Sequence, residues 1–221
     1  MNGNKKLLVL LFVLTLSLTA FAADASSLKP PAGAKVAIVV FEDLQCPDCA
    51  RAYPVVFETA KAYKVPVVLH DFPLPMHNWS FQAAVYARYF DTKSEKLGDD
   101  FRGYIYKNQA QINPGNLQQF VQRFSDDNKT PVPFMLDPGG ELTTKVKADY
   151  SLGQRLGLEH TPTIFIIGNG GASTPFVEIT DRAKMGEIIE DMLKKAAPVA
   201  PAKPAAGAKK KATTKTAKKK S

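Results

Sequence analysis

Cys46 and Cys49 are the only cysteines of the 221-residue chain, and they enclose a Cys-Pro-Asp-Cys sequence. The residues before them, 36–41, form a continuous apolar and largely β-branched run, which predicts a buried strand. The apolar residues after them recur at helical spacing between Tyr53 and Tyr63. The pair is therefore predicted to lie where a strand passes into the first turn of a helix.

The first turn of a helix is a place where a thiolate is stable. Unpaired backbone N–H groups and the positive end of the helix dipole stabilise an anion there, so we expect the pKa of Cys46 to be lowered. Pro47 suits this turn because it has no N–H to leave unpaired. We predict that Cys46 is exposed at the helix tip, that Cys49 lies one turn further in, and that the two form a reversible dithiol/disulfide pair.

Two other uses of the cysteine pair fit the sequence less well. A structural metal site needs about four ligands, and the three histidines, His70, His77 and His160, lack zinc-finger spacing. A purely structural disulfide that closes so short a loop would constrain the unfolded chain little. We therefore expect no metal and no cofactor.

Residues 1–22 have the pattern of a secretory signal peptide. Two lysines precede an apolar run, residues 7–18, and Ala20-Phe21-Ala22 offers a small-residue cleavage site. A membrane anchor is the alternative, but the run is shorter than the ~20 residues that span a bilayer. We expect export across the inner membrane to the periplasm, where an oxidising environment lets a disulfide persist.

The net charge of +8 belongs to the C-terminal end of the chain. Residues 197–221 are rich in Lys, Ala and Pro and contain eight lysines but no acidic residue, whereas residues 24–196 carry a net charge of −2. This distribution argues against nucleic acid as a partner, because the positive charge should then lie on the fold itself. We expect a disordered tail. A solubilising tail without a target and a weak contact with an anionic surface both remain open.

The rest of the chain alternates between sheet and helix in an order that predicts an α/β fold. After a leader, residues 23–34, two strands flank the cysteine helix and should form a parallel βαβ unit. A helical insertion, a β-hairpin and a last helix follow. The second strand is predicted at 65–72, the insertion at about 75–158 with helices at 79–90, 95–109, 114–124 and 141–156, the hairpin at 163–167 and 176–179, and the last helix from about Thr180.

This order resembles the thioredoxin superfamily and, more narrowly, the DsbA-type disulfide oxidoreductases with their inserted helical domain. The resemblance covers about residues 35–195, so it implies a thioredoxin-like fold with a helical insertion for residues 35–196. The residues that carry it are 41–49, Pro54 in the cysteine helix, the Phe72-Pro73-Leu74 run with His77 just after it, and Thr161-Pro162-Thr163 before the third strand.

The resemblance also implies roles for individual residues. Cys46 would be the attacking thiol and Cys49 the resolving thiol of a Cys46–Cys49 redox disulfide. Pro162, preceded by Thr161, would be a cis proline that faces this pair. From the residues alone Pro162 could equally begin a strand, although a cis bond is far less costly before proline than before other residues.

Pro47 and Asp48, the dipeptide between the cysteines, are expected to shape the site. Asp48 stands where family members often have His or an aromatic residue. Its carboxylate should oppose a thiolate at Cys46 by about one pKa unit once solvent screening is included. We therefore expect a thiol less acidic than that of the strongest oxidants.

The sequence favours an exported enzyme that exchanges disulfides with protein substrates, most plainly a DsbA-like oxidase with an unidentified membrane redox partner. The same chemistry in reverse makes a reductase or isomerase, and the direction depends on the reduction potential. A thioredoxin-like binding module that kept a vestigial cysteine pair is the alternative from another functional class.

Overall fold

A four-stranded sheet with the order β2-β1-β3-β4 lies at the centre of the fold. The computed structural model describes residues 28–169 and 176–196. The predicted signal peptide, the lysine-rich tail and part of the hairpin loop lie outside these residues. The strands are β1, Val36–Glu42; β2, Val67–Asp71; β3, Thr163–Gly168; and β4, Val177–Glu178.

β1 is a central strand that is buried along its whole length. It runs parallel to β2, with Ile38 opposite Val67, and antiparallel to β3, with Val40 opposite Ile164. A strand covered on both faces has no polar side, which explains the continuous apolar sequence. The predicted βαβ unit is confirmed, and so is the hairpin pairing, because β3 and β4 are antiparallel.

Two helices pack on one face of this sheet. α1, Pro47–Tyr63, starts directly behind β1, and α6, Met185–Lys195, ends the described chain. Buried side chains of both helices, including Val56 and Met185, share one apolar cluster with Ile38 of β1. This packing fixes where the first turn of each helix lies relative to the other.

The predicted helical insertion consists of four helices with an apolar cluster of their own. They are α2, Ser80–Asp91; α3, Glu95–Asn108; α4, Leu117–Asp127; and α5, Glu141–Arg155. The rings of Phe90, Phe101 and Phe124 meet there with centroids 4.7 to 5.2 Å apart. Cys46 and Cys49 belong to the same cluster. The cysteine pair therefore lies where the insertion meets the sheet domain.

Two predicted helix starts differ from the structure. α4 begins at Leu117 rather than at Pro114, because the residues before it form a turn in which the Asn116 N–H bonds to the Asn113 carbonyl. The last helix is preceded by a 3₁₀ turn, Arg182–Lys184, in which the Asp181 side chain accepts a hydrogen bond from the Ala183 N–H. Across the described ranges, no helix is both long enough and apolar enough to cross a bilayer.

Candidate redox site

Cys46 occupies the N-cap position of α1, in extended conformation. When protonated, its thiol donates a hydrogen bond to the Thr161 carbonyl oxygen at 3.2 Å. The predicted exposure of Cys46 is wrong, since only 7% of its surface is accessible. The segment before β3 and the apolar cluster of the insertion both pack against the helix tip and cover it. Cys49 is 2% accessible, so Cys46 is still the more accessible of the two.

The two thiols, both free in this structure, have pKa values shifted in opposite directions. A hydrogen bond donated by the Cys49 thiol is the largest of the contributions that lower the pKa of Cys46 to about 5. The Thr161 side chain and the backbone N–H groups of Cys49 and Asp48 act in the same direction, while burial opposes them. Burial, together with the neighbouring Cys46, raises the pKa of Cys49 far above its ordinary value. At neutral pH the site therefore holds one thiolate and one thiol.

The Thr161–Pro162 peptide bond is cis, as the family resemblance implied. The Thr161 carbonyl points to the Cys46 sulfur. Pro162 lines a small cavity behind the cysteines, together with Cys49 and Glu42. The structure thus brings Thr161 and Pro162 together with Cys46 and Cys49.

Asp48 is held between two arginines. Its carboxylate accepts hydrogen bonds from Arg51, one turn along α1, at 3.3 Å and from Arg182, 134 residues away. The bond with Arg182 is the largest of the effects that lower the pKa of Asp48. The prediction for Asp48 included no cationic partner, whereas the structure supplies two. Arg182 lies in a distant turn, and no local sequence pattern links it to the cysteines.

Glu42 is a site residue that the sequence analysis missed. It is the last residue of β1 and is 3% accessible. The Tyr106 hydroxyl donates to its Oε2 at 2.9 Å, and Arg102 Nε lies 3.0 Å from its Oε1. Burial outweighs these partners and raises its pKa to about 7. A carboxylate at the end of an apolar strand, four residues before Cys46, was the signal that could have revealed it.

Arg102 balances the buried charge of Glu42. It is itself 1% accessible and donates to both carboxylate oxygens of Asp91 at 2.7 and 3.0 Å. Buried charges are stable only when they are paired in this way. The network continues through Asp71, which pairs with Arg88. Arg88 in turn binds Asp149 of α5.

Asp43 ties the insertion to the cysteine pair. Its backbone N–H donates to the Cys49 sulfur at 3.4 Å. Its buried carboxylate accepts from the Leu74 N–H and the Ser80 hydroxyl, and it lies 2.6 Å from His77 Nδ1. His77, one of the residues that carried the family resemblance, thus anchors the segment after β2 to the loop that precedes Cys46.

Comparison with known proteins shows which family has this architecture. The thioredoxin family model (Thioredoxin_4) matches residues 31–191, and no curated protein matches the chain significantly. Solved structures with similar folds include α-DsbA1 of Wolbachia pipientis, 18% identical, which covers 74% of this chain and 88% of its own with a TM-score of 0.61. α-DsbA2 of the same organism, described as a thiol-disulfide exchange protein, is 19% identical over 74% of this chain and 85% of its own, with a TM-score of 0.58.

The catalytic domain of Proteus mirabilis ScsC is 18% identical over 80% of this chain and 94% of its own, with a TM-score of 0.59. At such identities these matches establish a shared fold. Together with the family match, the four-helix insertion and the cysteine pair at the start of α1, they lead to one assignment. The chain belongs to the thioredoxin family and has the fold of the DsbA-type thiol-disulfide oxidoreductases.

Proposed function

We propose that this protein is an exported thiol-disulfide oxidoreductase that oxidises protein substrates through Cys46-Pro47-Asp48-Cys49. The observation that carries the proposal is the opposite acidity of the two thiols. The pKa of Cys46 is lowered to about 5, while that of Cys49 is raised by burial. Such a pair has one sulfur that leaves easily as a thiolate and one that is stable as a thiol.

The first step is the attack of a substrate thiolate on Cys46 of the oxidised protein. The Sγ–Sγ bond between Cys46 and Cys49 breaks, a bond between the substrate sulfur and Cys46 forms, and Cys49 leaves with the electron pair. Attack at Cys46 is supported by its position at the helix N-cap and by its larger accessible fraction. The product is a mixed disulfide with the substrate.

The Cys49 thiolate left by this step needs a proton, because burial disfavours its charged form. Glu42 is the candidate donor. It lines the same cavity as Cys49, and its pKa of about 7 keeps it partly protonated at neutral pH. The free volume of this cavity, about 10 Å³, is close to the least that holds one water molecule, which could carry the proton between them.

In the second step another substrate thiolate attacks the substrate sulfur of the mixed disulfide. Cys46 leaves as a thiolate, the substrate gains a disulfide, and the protein is left with the two electrons. The donors around the Cys46 sulfur stabilise this leaving group. Because they stabilise the reduced protein, they favour oxidation of substrates over their reduction.

We extend the proposal to an exported protein with a membrane redox partner that reoxidises the pair. The support for export is the basic start, the apolar run and the Ala-Phe-Ala sequence within residues 1–22. A disulfide-forming enzyme needs the oxidising compartment that export provides. Protein thiols are the substrates that this chemistry requires.

The reduction potential tests the proposal. Equilibration of the purified protein with glutathione should give a potential more oxidising than about −180 mV, the value of protein disulfide isomerase. The protein should also introduce disulfides into a reduced model substrate such as ribonuclease, and Cys46→Ser should abolish this activity. A potential near the −270 mV of thioredoxin, with rapid reduction of insulin, would instead assign a reductase. A folded protein that exchanges disulfides with neither substrate would be a binding module.

A further inference from the structure

The Cys-Pro-Asp-Cys turn is linked through a side chain to the far end of the chain. Arg182 Nη2 donates to Asp48 Oδ2 across a sequence separation of 134 residues. Asp48 is 39% accessible at its side chain and Arg182 is 31% accessible, so the pair lies at the edge of the site rather than in the core. We propose that Arg182 is a positioning residue of the redox site, which holds the Asp48 carboxylate so that its charge is balanced and does not oppose the Cys46 thiolate. The inference rests on the thiol chemistry proposed above for Cys46.

The backbone at Arg182 is held in place independently of this ion pair. The 3₁₀ turn Arg182–Lys184 is capped by Asp181, whose carboxylate accepts the Ala183 N–H at 3.0 Å. The turn leads directly into α6, where Met185 and Ile189 are completely buried. Replacing the Arg182 side chain should therefore leave the fold intact.

The first turn of α6 also fits closely against the far end of α1. A Cβ atom added to Gly186 would lie 2.4 Å from the Tyr63 hydroxyl oxygen, closer than any real contact. A larger residue at this position would have to displace the Tyr63 ring. The guanidinium of Arg182 thus approaches Asp48 from a rigid support.

Asp48 presents two groups with opposite effects on Cys46. Its backbone N–H helps to lower the pKa of the Cys46 thiol and so stabilises the thiolate. Its carboxylate, if unpaired, would destabilise the thiolate, since like charges disfavour each other. The Arg182 guanidinium compensates the charge of the Asp48 carboxylate but does not affect the Asp48 backbone N–H. The stabilising effect on the thiolate therefore remains, while the destabilising one is reduced.

Arg51 also contacts Asp48, but its effect should be smaller. Its side chain is 68% accessible, and it meets Asp48 Oδ1 as an i,i+3 pair on the helix surface at 3.2 Å. Ion pairs that are so exposed are weak and strongly screened. Arg51 is therefore a matched control, because it offers the same group to the same carboxylate from a solvated position.

The test is the titration of the Cys46 thiolate, followed by its absorbance near 240 nm in the reduced protein. Arg182→Gln should shift the midpoint upward by about one pH unit, which is a tenfold decrease in the thiolate-to-thiol ratio at a given pH. Arg182→Lys keeps the positive charge and should leave the midpoint close to that of the parent. Arg51→Gln should raise the midpoint by clearly less than Arg182→Gln does. Lys184→Gln removes a charge from the same turn and should change little.

A double variant separates an effect through Asp48 from a direct effect of the Arg182 charge. If Arg182 acts through Asp48, then Asp48→Asn combined with Arg182→Gln should return the midpoint close to that of the parent protein. A double variant whose midpoint stays as high as that of Arg182→Gln alone would overturn the proposal. So would an unchanged midpoint in Arg182→Gln, provided that its thermal unfolding matches that of the parent.

The titration does not depend on enzymatic activity. A protein that fails to oxidise substrates but shows the expected shifts would contradict the proposed function and leave the role of Arg182 intact. The reverse outcome, an active oxidase whose thiolate titration ignores Arg182, would contradict this inference alone.

Discussion

Glu42 and Cys49 line one small cavity between β1 and α1. The carboxyl group has a pKa raised to about 7 by burial, and burial also raises the pKa of the thiol. Each group is most stable when it is neutral, so together they can pass one proton without leaving two buried charges. Arg102, 3.0 Å from Glu42, stabilises the carboxylate once it has lost that proton.

We predict that Glu42→Gln slows formation of the mixed disulfide, because the Cys49 thiolate loses its proton donor. Positioned proton donors contribute about 10²-fold or more to rates. The ratio of parent to variant rates should be largest below pH 7, where Glu42 is protonated, and should shrink above it. Trp79, the only tryptophan, belongs to the apolar cluster that contains both cysteines, so its fluorescence can report single-turnover rates.

Tyr106→Phe provides the control for this experiment. It removes the hydroxyl that donates to Glu42 but leaves the carboxyl group in place. Since that bond lowers the pKa of Glu42, its loss should move the break in the pH profile to higher pH. A rate ratio for Glu42→Gln that is the same at every pH would show that Glu42 carries no proton in this step.

Glu42 should also make the stability of the protein depend on pH. Its folded pKa of about 7 lies above the ordinary value of 4.5, so the folded state binds more protons than the unfolded state between these values. Stability therefore falls as pH rises through this window, and the full cost of about 3 kcal/mol is present above pH 7.

Urea unfolding of parent and Glu42→Gln proteins at pH 4.5, 6 and 8 measures this cost. The free energy of unfolding of the variant, relative to the parent, should increase by about 3 kcal/mol across the series. Other buried carboxyl groups with raised pKa values, such as Asp71, are present in both proteins, so the difference isolates Glu42. A constant difference would mean that folding does not raise the pKa of Glu42.

The sequence was sufficient to predict the parts of the site that are local in the chain. The strand, the helix start and the cysteine pair are contiguous, and the hairpin and four insertion helices follow from periodicity. The exposure of Cys46 was mispredicted because it is covered by distant parts of the chain, namely Thr161, 115 residues away, and the apolar cluster of the insertion.

The charged residues around the site were harder to predict because they also come from distant parts of the chain. Arg102 and Arg182 reach the site from α3 and from the turn before α6, and neither has a local pattern that names its partner. Glu42, in contrast, was visible in the sequence as an acidic residue at the end of the apolar strand before Cys46. Residues that balance buried charge are set by the tertiary fold, so a single sequence indicates that partners are needed but not which ones.

A third prediction concerns the order in which the two thiols react. Cys49→Ala should accumulate mixed disulfides between substrate proteins and Cys46, because the thiol that would resolve them is gone while the acidic Cys46 remains. Cys46→Ala should form far fewer, since Cys49 is 2% accessible and its pKa is raised. Non-reducing gels followed by mass spectrometry identify the linked cysteine. Equal trapping by both variants would contradict the assigned roles.

The last prediction concerns residues 197–221, which carry eight lysines and no acidic residue. Each lysine near an anionic surface contributes about 1 kcal/mol, so several together should hold the protein on such a surface at low salt. Truncation after Ala196 should abolish binding to vesicles that contain an anionic lipid, while substrate oxidation and thermal stability stay unchanged. A variant with every tail lysine replaced by glutamine keeps the length and should behave like the truncation. Binding of the full chain should weaken as salt rises, because the screening length falls to about 8 Å at physiological ionic strength. Vesicle binding that survives in either variant, or that ignores salt, would leave the tail as a segment without a surface partner.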